Sequence, residues 1–516
     1  MIADFQNEPF TDFSKPENAA AFRAALEHVG RQLGKTYPIV IGGRRYRDTK
    51  ETFSSTNPSN PKEVIGTLAK GDAKLAIRAV EVAAATFEEW KWAPARERAD
   101  VLFRVARILR ERKHEMSAWM VHEVGKSWAE ADGDTAEAID FCEFYGRQAI
   151  RLAQPQPLTP QPGEDTELKY IPMGVCAVIP PWNFPLAIMA GMTVAAAVSG
   201  NTVVLKPSSD APVIAARFFE ILEEAGMPDG VVNFVPGPGA AVGDTIVDHP
   251  KTRLIAFTGS KAVGLGIAEK AGRVGPGQIW IKRAILEMGG KDFTAVDEDA
   301  NFDDAVSGTV SAAFGFQGQK CSANSRTIVH EKIYKKFVEA VAAKTEKLTL
   351  GDPRDPKNFM GPVVNESQYK AVTDYIRIGR REGKLVAGGA ADRRTGWFVR
   401  PTVFEGIKPS ARLFREEIFG PVLAITKARD FEEILAMANA TEYGLTGAYY
   451  SRDRAKITMA KRLLHCGNLY INRKCTGAMV DGHPFGGFNM SGTDSKAGGR
   501  DYLLLFTQAK SISERV

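Results

Sequence analysis

The sequence contains few of the residues on which small secreted proteins and metal-binding proteins depend. It has 516 residues but only five cysteines and seven histidines. An odd number of cysteines without a Cys-X-X-Cys pair is not typical of a disulfide framework or a zinc ribbon, and it indicates a reducing compartment. His122-Glu123 and His330-Glu331 lack the second histidine of the His-Glu-X-X-His zinc motif. We therefore predict no metal site.

The sequence also lacks a strong charge of one sign and a long unbroken apolar run. Its net charge of +5 arises from 67 basic and 62 acidic residues, a bias too weak to indicate nucleic acid or an anionic membrane as a partner. The longest apolar stretch, Leu186 to Leu205, is interrupted by Gly191, Ser199 and other small or polar residues, so it predicts a buried helix and strand. The first residues do not resemble a secretory signal. We expect a cytoplasmic protein.

Helical and strand-like patterns alternate along the chain. With 44% hydrophobic residues, the chain is long enough for two or three domains. Apolar residues recur at helical spacing over 72–90, 96–124 and 129–152, and the Pro-rich stretch that follows, 154–165, predicts an arm that leaves a domain. From residue 174, short apolar strands alternate with helices: 174–179, 186–198, 202–206, 211–225, 231–235, 243–249 and 254–257, and after Glu287 a second series contains strands such as 326–329 and 422–426. Repeated β-α-β units predict doubly wound parallel sheets with ligands at the carboxyl ends of the strands.

Cys321 is the strongest candidate for a catalytic residue. It lies in Gly318-Gln319-Lys320-Cys321-Ser322, downstream of Glu287-Met288-Gly289-Gly290. A cysteine attacks a substrate as the thiolate, and the adjacent lysine and flexible glycine favour that form. Glu287 is a candidate base. The alternative is a buried structural cysteine, which is the usual role of a free cysteine.

Three polar residues follow predicted strands and are candidates for ligand contacts. Asn183, in Pro181-Trp182-Asn183-Phe184-Pro185, could donate a hydrogen bond to an oxyanion, or it could simply form a turn. Lys206 suits ribose hydroxyls or phosphate, but an exposed charge at a strand end is the alternative. Phe257-Thr258-Gly259-Ser260 precedes a helix and could hold a pyrophosphate.

Two other motif matches are too weak to support a function. Gly125-Lys126-Ser127 resembles the end of a Walker A loop, but the leading glycine would fall at Met120, so we interpret it as the end of a helix. Gly237 to Gly243 has one residue too many for Gly-X-Gly-X-X-Gly.

The ordered set of motifs resembles the aldehyde dehydrogenase superfamily over nearly the whole chain. Besides the segments above, the matches are Lys206-Pro207, Glu417-Ile418-Phe419-Gly420-Pro421 and Pro484-Phe485-Gly486-Gly487. The resemblance implies an α/β fold with two doubly wound parallel-sheet domains and a small β oligomerisation arm. It also implies Cys321 as the nucleophile, Asn183 with the Cys321 amide as the oxyanion hole, and Glu287 as the general base that activates water. The cofactor would be NAD, bound by Ile179, Pro181, Trp182, Lys206, Ser208, Ser209, Gly243, Phe257, Thr258, Gly259, Ser260, Val263, Glu417 and Phe419.

Within the superfamily, the sequence is similar to the branch that oxidises L-glutamate γ-semialdehyde to L-glutamate. The similar segments are the N-terminal extension up to Ile41-Gly42-Gly43, and residues 137–141, 315–322 and 472–478. The resemblance implies that Ser322, Gly477 and Ala478 bind the α-carboxylate of the substrate, because a hydroxyl and two successive backbone N–H groups can form an anion-binding nest. Phe184 and Phe485 would flank its carbon chain. Glu137 and Lys320 complete the predicted substrate site.

The same resemblance divides the chain into domains. Residues 1–152 and 171–286 would form the NAD-binding domain, 287–490 the catalytic domain, and 153–170 with 491–516 the arm of a homodimer or higher homo-oligomer. The expected partners are a small aldehyde and, as a candidate, a proline dehydrogenase that supplies it. Ser209 replaces the Glu of many NAD-preferring relatives, so NADP could also be tolerated.

Three alternatives remain open. A nitrilase-like amidase could use Cys321, Glu287 and Lys206 without a nucleotide, but it would not account for Phe257-Thr258-Gly259-Ser260. A non-catalytic binding protein would have no need of an intact Cys321, Glu287 and Asn183. A dehydrogenase for another short-chain semialdehyde is the remaining alternative.

Overall fold

The computed structural model describes residues 3–47 and 49–516. Its helices are α1 (Pro16–Gly30), α2 (Ala73–Trp90), α3 (Ala95–Glu111), α4 (Lys113–Val124), α5 (Trp128–Leu152), α6 (Ala187–Val198), α7 (Pro212–Glu224), α8 (Asp244–Asp248), α9 (Lys261–Ala271), α10 (Phe302–Phe314), α11 (Tyr334–Glu346), α12 (Glu366–Glu382), α13 (Arg412–Arg415), α14 (Phe431–Ala438) and α15 (Arg454–Leu463). Shorter turns of π or 3-10 geometry occupy Gly239–Gly243, Gly315–Gly318 and Tyr502–Phe506.

The strands alternate with these helices through most of the chain. They are β1 (Lys35–Tyr37), β2 (Ile39–Ile41), β3 (Arg44–Tyr46), β4 (Thr52–Asn57), β5 (Asn60–Ala69), β6 (Glu164–Pro172), β7 (Val175–Ile179), β8 (Thr202–Leu205), β9 (Val232–Phe234), β10 (Thr252–Thr258), β11 (Arg283–Glu287), β12 (Asp292–Val296), β13 (Asn324–His330), β14 (Lys384–Ala387), β15 (Ala391–Asp392), β16 (Phe398–Val399), β17 (Thr402–Glu405), β18 (Val422–Ala428), β19 (Tyr443–Gly444), β20 (Thr446–Tyr450), β21 (Asn468–Ile471), β22 (Phe488–Asn489) and β23 (Thr507–Arg515).

The first large sheet has the strand order β11-β10-β7-β8-β9-β2-β3. The strands from β11 to β9 are parallel, and the β2–β3 hairpin adds antiparallel strands at one edge. Alternate residues of β7 face opposite cores: Val175 and Ala177 pack with α2, while Cys176 and Val178 pack with α6. A sheet with helices on both faces buries both sets of side chains, which explains the nearly continuous apolar sequence of its strands.

The second large sheet has the order β14-β17-β18-β13-β12-β20-β21, with every pair parallel except β14 with β17. It too has a core on each face. Phe293 and Ile328 pack with α12 and α14, and Val296 and Val329 pack with α10 and α11. The prediction of two doubly wound parallel sheets is therefore confirmed.

Four smaller units of the described chain accompany these sheets. Strands β1, β5 and β4 form a small sheet, and the pairs β15–β16 and β19–β22 are short hairpins or bridges. Strands β6 and β23 pair along nine positions to form a two-stranded ribbon, with Glu164 opposite Arg515 and Pro172 opposite Thr507. Most of its side chains are exposed.

The predicted continuous helix over 96–124 is wrong at one point. The chain forms two helices, because Arg112 between them adopts φ −108° and ψ 23°. The apolar spacing persists through this break, so periodicity alone did not reveal it. Within the described parts of the chain, no helix combines the length and hydropathy needed to span a membrane.

Candidate active site

The segment before Cys321 is held in an unusual backbone conformation. Phe316 and Gln317 have φ angles of 47° and 58°, in the left-handed region that residues other than glycine seldom adopt. The Gln317 side chain donates hydrogen bonds to the carbonyls of Gly125, at 3.1 Å, and Pro362, at 2.7 Å. Such strain persists only where the surroundings hold it. The turn therefore places Cys321 at a fixed point between α10 and β13.

Cys321 is partly exposed and lies close to Asn183 and Glu287. The Asn183 amide donates to the Gln319 carbonyl at 3.0 Å, which ties the end of β7 to the cysteine loop. Burial, together with the negative charges of Asp292 and Glu287, raises the pKa of the Cys321 thiol well above its usual range. The resting thiol is therefore protonated and needs a proton acceptor before it can attack a substrate.

Glu287 is the last residue of β11, and its side chain is partly buried. Burial raises the pKa of its carboxyl group to about 7, although hydrogen bonds from Ser495 and the charge of Lys496 act in the opposite direction. The Ser495 hydroxyl donates to Oε1 at 2.5 Å. Oε2 is buried without a hydrogen-bond partner in the described part of the chain. A carboxyl group with this pKa can take up and release a proton near neutral pH.

The predicted cofactor residues lie along the carboxyl edge of the first sheet and on the segment after α13. Ile179 ends β7, and Lys206, Ser208 and Ser209 follow β8. Lys206 is buried, its Nζ donates to the Pro207 carbonyl at 2.9 Å, and burial lowers its pKa to about 8. Its methylene groups lie where a Cβ on Gly243 would be in ordinary contact, at 3.4 Å. These residues therefore form one continuous edge.

Residues after β10 continue this edge to the second sheet. Phe257 and Thr258 end β10, Gly259 follows, Ser260 occupies the N-cap position of α9, and Val263 in its first turn is exposed. A Cβ on Gly259 would approach the Phe257 ring to 2.6 Å, so the chain passes too close for a larger residue. The open N-terminus of α9 offers backbone N–H groups to an anion.

Glu417 and Phe419 close the edge from the other domain. Glu417 Oε1 accepts from the Gly290 amide at 2.9 Å, and burial raises its pKa to about 7. The Phe419 ring, at a residue with φ 54°, meets Trp182 edge to face with 5.4 Å between ring centroids. The contacts place Trp182, after β7, against the segment that carries Glu417.

On the opposite side of Cys321, two lysines and α5 surround Phe184. Lys126 Nζ lies 4.0 Å from the centre of the Phe184 ring and 2.9 Å from Asp134, and both members of this ion pair are fully buried. Lys320 Nζ lies 6.0 Å from the same ring and 2.6 Å from Glu130. The structure thus brings Lys320 and Phe184 together.

Glu137 belongs to the same cluster. Burial, followed by the charge of Asp134, raises the pKa of Glu137 to about 8, and Lys126 only partly offsets this. For Glu130, burial also favours the neutral form, but Lys320 and Lys126 outweigh it and lower the pKa. The cluster therefore combines carboxyl groups whose pKa values shift in opposite directions: that of Glu130 falls and that of Glu137 rises.

The loop after β21 contacts Ser322, the residue that follows Cys321. Ser322 is buried, and its carbonyl accepts from the Cys475 thiol at 3.4 Å. Gly477 has φ 84°, a left-handed conformation that suits a backbone nest, and its carbonyl accepts from Arg473 at 3.0 Å. Ala478 follows in the same loop and is partly buried. Ser322 and this loop therefore form one unit.

Phe485 is fixed by a separate pair of backbone hydrogen bonds. Its amide donates to the Ala497 carbonyl at 2.8 Å and its carbonyl accepts from the Ala497 amide at 2.7 Å. This bridge places the phenylalanine next to the segment that carries Ser495. Its ring is partly buried.

The comparisons with known proteins fit this geometry. The model of the aldehyde dehydrogenase family matches residues 46–512. This chain belongs to the aldehyde dehydrogenase family. It is 54% identical over 514 residues to the 1-pyrroline-5-carboxylate dehydrogenase of Bacillus subtilis, with 100% of both chains covered.

Solved structures agree with this family membership. The 1-pyrroline-5-carboxylate dehydrogenase from Thermus with bound NAD matches with a TM-score of 0.98 and 50% identity, covering 100% of both chains. Proline utilization A from Bdellovibrio bacteriovorus matches with a TM-score of 0.97 and 43% identity, and covers 99% of this chain and 53% of that chain. The predicted family and its fold are therefore confirmed.

The sequence analysis missed three residues of this aldehyde dehydrogenase that lie against the predicted site. Lys126 and Asp134 form the buried pair beside Phe184, and Ser495 bonds to Glu287. Lys126 lies in a segment that we interpreted as a helix end, and α4 does end at Val124 with Gly125 in a left-handed conformation. A lysine directly after the glycine that ends a helix was the available signal.

One group of possible metal ligands lies away from the site. Donor atoms of Asp297, Glu298 and His330 lie within 4.8 Å of one another. Asp297 already accepts a hydrogen bond from the Tyr449 hydroxyl at 2.7 Å and pairs with Lys456 at 3.0 Å. Because these contacts balance its charge, we assign no metal to this group, and the absence of a metal stays a prediction.

Proposed function

We propose that this aldehyde dehydrogenase oxidises L-glutamate γ-semialdehyde, the open form of 1-pyrroline-5-carboxylate, to L-glutamate with NAD. The observation that carries the proposal is the convergence of Cys321, Glu287 and Asn183 on one point, in a chain that is similar over its full length to 1-pyrroline-5-carboxylate dehydrogenases. The nucleotide-binding edge lies on one side of that point and the Phe184 pocket on the other.

The protein residues account for each chemical step. The Cys321 thiol gives its proton to water and its sulfur attacks the aldehyde carbon, while Asn183 and the Cys321 amide hold the resulting oxyanion. NAD, when bound, accepts the hydride from this adduct and leaves a thioester on Cys321. Glu287 then removes a proton from water, which attacks the thioester and releases the acid. The pKa of about 7 for Glu287 suits this role.

The edge of the first sheet suits a dinucleotide. The buried Lys206 presents a cation that could bind ribose hydroxyls, and the N-terminus of α9 at Ser260 could bind the pyrophosphate. Glu417 offers carboxylate oxygens at the far end of the edge. We assign the remaining predicted cofactor residues to the same surface.

The opposite pocket suits an amino acid aldehyde. The Ser322 hydroxyl and the amides of Gly477 and Ala478 would bind its carboxylate, and Phe184 and Phe485 would flank its methylene groups. A cationic amino group would lie near Glu137, a partly buried residue whose carboxyl pKa of about 8 falls when a cation approaches. Lys320 and Lys126 add positive charge for the carboxylate.

We also propose three features of the protein in the cell. The ribbon of β6 and β23 would join two or more copies of the chain. The similarity to proline utilization A supports a proline dehydrogenase as the supplier of the substrate. The five cysteines are all free in the structure, which supports a reducing location such as the cytoplasm.

Steady-state kinetics with a panel of aldehydes tests the substrate. L-Glutamate γ-semialdehyde should have a much higher kcat/KM than butyraldehyde, because a site built for polar groups is left unpaired by an analogue without them. Ser322→Ala should raise KM for the semialdehyde about 5- to 50-fold, in line with a hydrogen bond to a charged group. It should leave butyraldehyde nearly unchanged. Equal kcat/KM for both aldehydes would reject this substrate, and a preference for a semialdehyde without the amino group would support the other short-chain semialdehydes.

A further inference from the structure

We propose that Ser495 is a positioning residue for Glu287: its hydroxyl fixes the carboxylate that activates water for thioester hydrolysis. The proposal rests on the hydrolytic reaction proposed above. It assigns a role to a residue outside the three catalytic groups, in the segment that follows Pro484-Phe485-Gly486-Gly487.

The contact between the two side chains is short and enclosed. Ser495 Oγ donates to Glu287 Oε1 at 2.5 Å, and Ser495 is only 4% exposed. A hydrogen bond from a hydroxyl to an ionised carboxylate is stronger than one between neutral groups. Because Oε2 is buried without a hydrogen-bond partner in the described chain, this bond distinguishes the two carboxylate oxygens, and we assign Oε2 as the oxygen that takes the proton.

The backbone around Ser495 is fastened to the end of β11. Thr493 exchanges hydrogen bonds with Leu286, where its amide donates to the Leu286 carbonyl at 2.9 Å and its hydroxyl accepts from the Leu286 amide at 3.0 Å. The Met288 amide donates to the Ser491 carbonyl at 2.8 Å. The two backbone–backbone bonds, Thr493 to Leu286 and Met288 to Ser491, lie on either side of Glu287 and fix the distance between the serine and the carboxylate.

Other groups near the Glu287 carboxylate also shift its pKa. Burial raises the pKa of Glu287 to about 7, while the Ser495 hydroxyl and the nearby Lys496 lower it from what burial alone would give. Cys321 faces Glu287 from the loop before β13, and Tyr502 from the C-terminal 3-10 turn. Lys496 is itself held by the carbonyls of Gly467 and Gly486, at 2.8 and 3.0 Å. The serine therefore favours the ionised form of the base.

The ionised form is the one that hydrolysis requires. The Glu287 carboxylate takes a proton from water as the water oxygen bonds to the thioester carbon. The carbon–sulfur bond then breaks and the cysteine sulfur leaves as the thiolate. Hydride transfer occurs before this step, and it does not require the Glu287 carboxylate to take a proton from water. Loss of the serine hydroxyl should therefore slow hydrolysis and spare hydride transfer.

The test is the decay of the acyl-enzyme, followed by rapid quenching and intact-mass measurement across a pH series on both sides of neutrality. For Ser495→Ala we expect the decay rate constant to fall about tenfold, as for a lost hydrogen bond to a charged group. In the pH profile of the decay rate constant, the fall on the acid side should move to higher pH by about one unit. The reason is that the ionised Glu287 carboxylate loses a hydrogen-bond donor. The first-turnover formation of reduced cofactor should stay within about twofold of the parent protein.

Two further variants separate positioning from general disruption. Ser495→Thr keeps the hydroxyl and should restore both the rate and the acid limb. Thr493→Val removes the tether to the Leu286 amide without touching the carboxylate, so its acid limb should stay in place. The role of Ser495 is overturned if the acid side of the pH profile stays in place in Ser495→Ala. It is also overturned if the profile shifts equally in Thr493→Val. By contrast, a parent protein that forms no acyl-enzyme from the semialdehyde would overturn the proposed function itself.

Discussion

Cys321 and Glu287 are both partly buried, among groups that oppose their charged forms. Burial and neighbouring carboxylates raise the pKa of the thiol well above its usual range, and burial raises the pKa of Glu287 to about 7. Because the pKa of Glu287 is about 7, its ionised carboxylate, which is the proposed base, is lost as the pH falls through about 7. It is regained as the pH rises through the same value. Turnover limited by hydrolysis should follow the same limb.

Replacement of Glu287 by Gln should separate the two half-reactions. Glu287→Gln cannot take a proton from water, so we expect a rapid burst of reduced cofactor, of about one equivalent per active site, followed by slow turnover. The acid limb near pH 7 should disappear from the slow phase. Stopped-flow absorbance of the reduced cofactor measures both phases.

Cys321→Ala provides the matched control for this experiment. It should show no burst and no turnover, yet still quench its tryptophan fluorescence on binding NAD. Cys142→Ala, which removes a buried cysteine of α5, should keep the burst. A Glu287→Gln protein without a burst would contradict a role restricted to hydrolysis.

Ser209 should decide how far NADP can replace NAD. The residue is exposed after β8, in the segment that begins with Lys206. A neutral hydroxyl beside a lysine tolerates a 2′-phosphate, whereas a glutamate repels it and accepts hydrogen bonds from ribose hydroxyls. We expect NAD to be the better cofactor and NADP to be measurably active.

The Ser209→Glu variant should lower kcat/KM for NADP by at least about tenfold and that for NAD much less, because added repulsion of about 1.4 kcal/mol or more acts on NADP alone. Ser209→Ala serves as the neutral control. An unchanged ratio between the cofactors would mean that this side chain does not face the ribose.

At the scale of single elements, apolar spacing predicted most of the fold around the site. The predicted strand 174–179 and helix 186–198 correspond to Val175–Ile179 and Ala187–Val198. Strands buried on both faces and helices with one apolar face leave clear patterns in the sequence. The break at Arg112 left no such pattern, because it changes two backbone angles and not the apolar spacing.

Contacts between distant segments could not be predicted in the same way. The Lys126–Asp134 pair and the Ser495–Glu287 bond depend on how helices and loops dock, which local periodicity does not record. The roles of Cys321, Glu287 and Asn183 came from motifs and family resemblance. Those roles stay predictions, although the structure does place the three residues close together.

The junction between α4 and α5 depends on a fully buried ion pair. Lys126→Met would leave Asp134 as an unpaired buried charge, and we expect this to lower the free energy of unfolding by about 3–5 kcal/mol. Adding Asp134→Asn should recover part of the loss, because the Asn oxygen can still accept from the Ala187 amide that now bonds to Asp134 at 2.6 Å. Urea denaturation of both variants measures the difference. Equal stability of the single and double variants would show that the pair is not coupled.

At the scale of the whole molecule, the β6–β23 ribbon is a two-stranded unit that pairs with neither of the two large sheets. Two strands paired along nine positions with mostly exposed side chains form a unit that is only marginally stable by itself in water. We therefore expect another protein surface to pack against this ribbon. A further copy of the same chain is the partner that we propose.

Truncation after Phe506 tests that proposal. Removing β23 leaves β6 unpaired, so we expect the truncated protein to show a smaller mass by light scattering than the full chain at the same concentration. Ser513→Ala, a change of one exposed ribbon residue, should keep the mass of the full chain. Equal masses for the truncated and full-length proteins would place the contact between copies elsewhere.

The bond between Ser495 and Glu287 spans 208 positions of the chain. During synthesis, Glu287 leaves the ribosome well before Ser495 exists, and at about 5–20 residues per second the interval is on the order of 10 to 40 seconds. Through that interval β11 lacks the neighbouring segment that holds its last residue. A ribosome-bound chain therefore carries Cys321 and Glu287 well before it has the serine that we propose positions the Glu287 carboxylate.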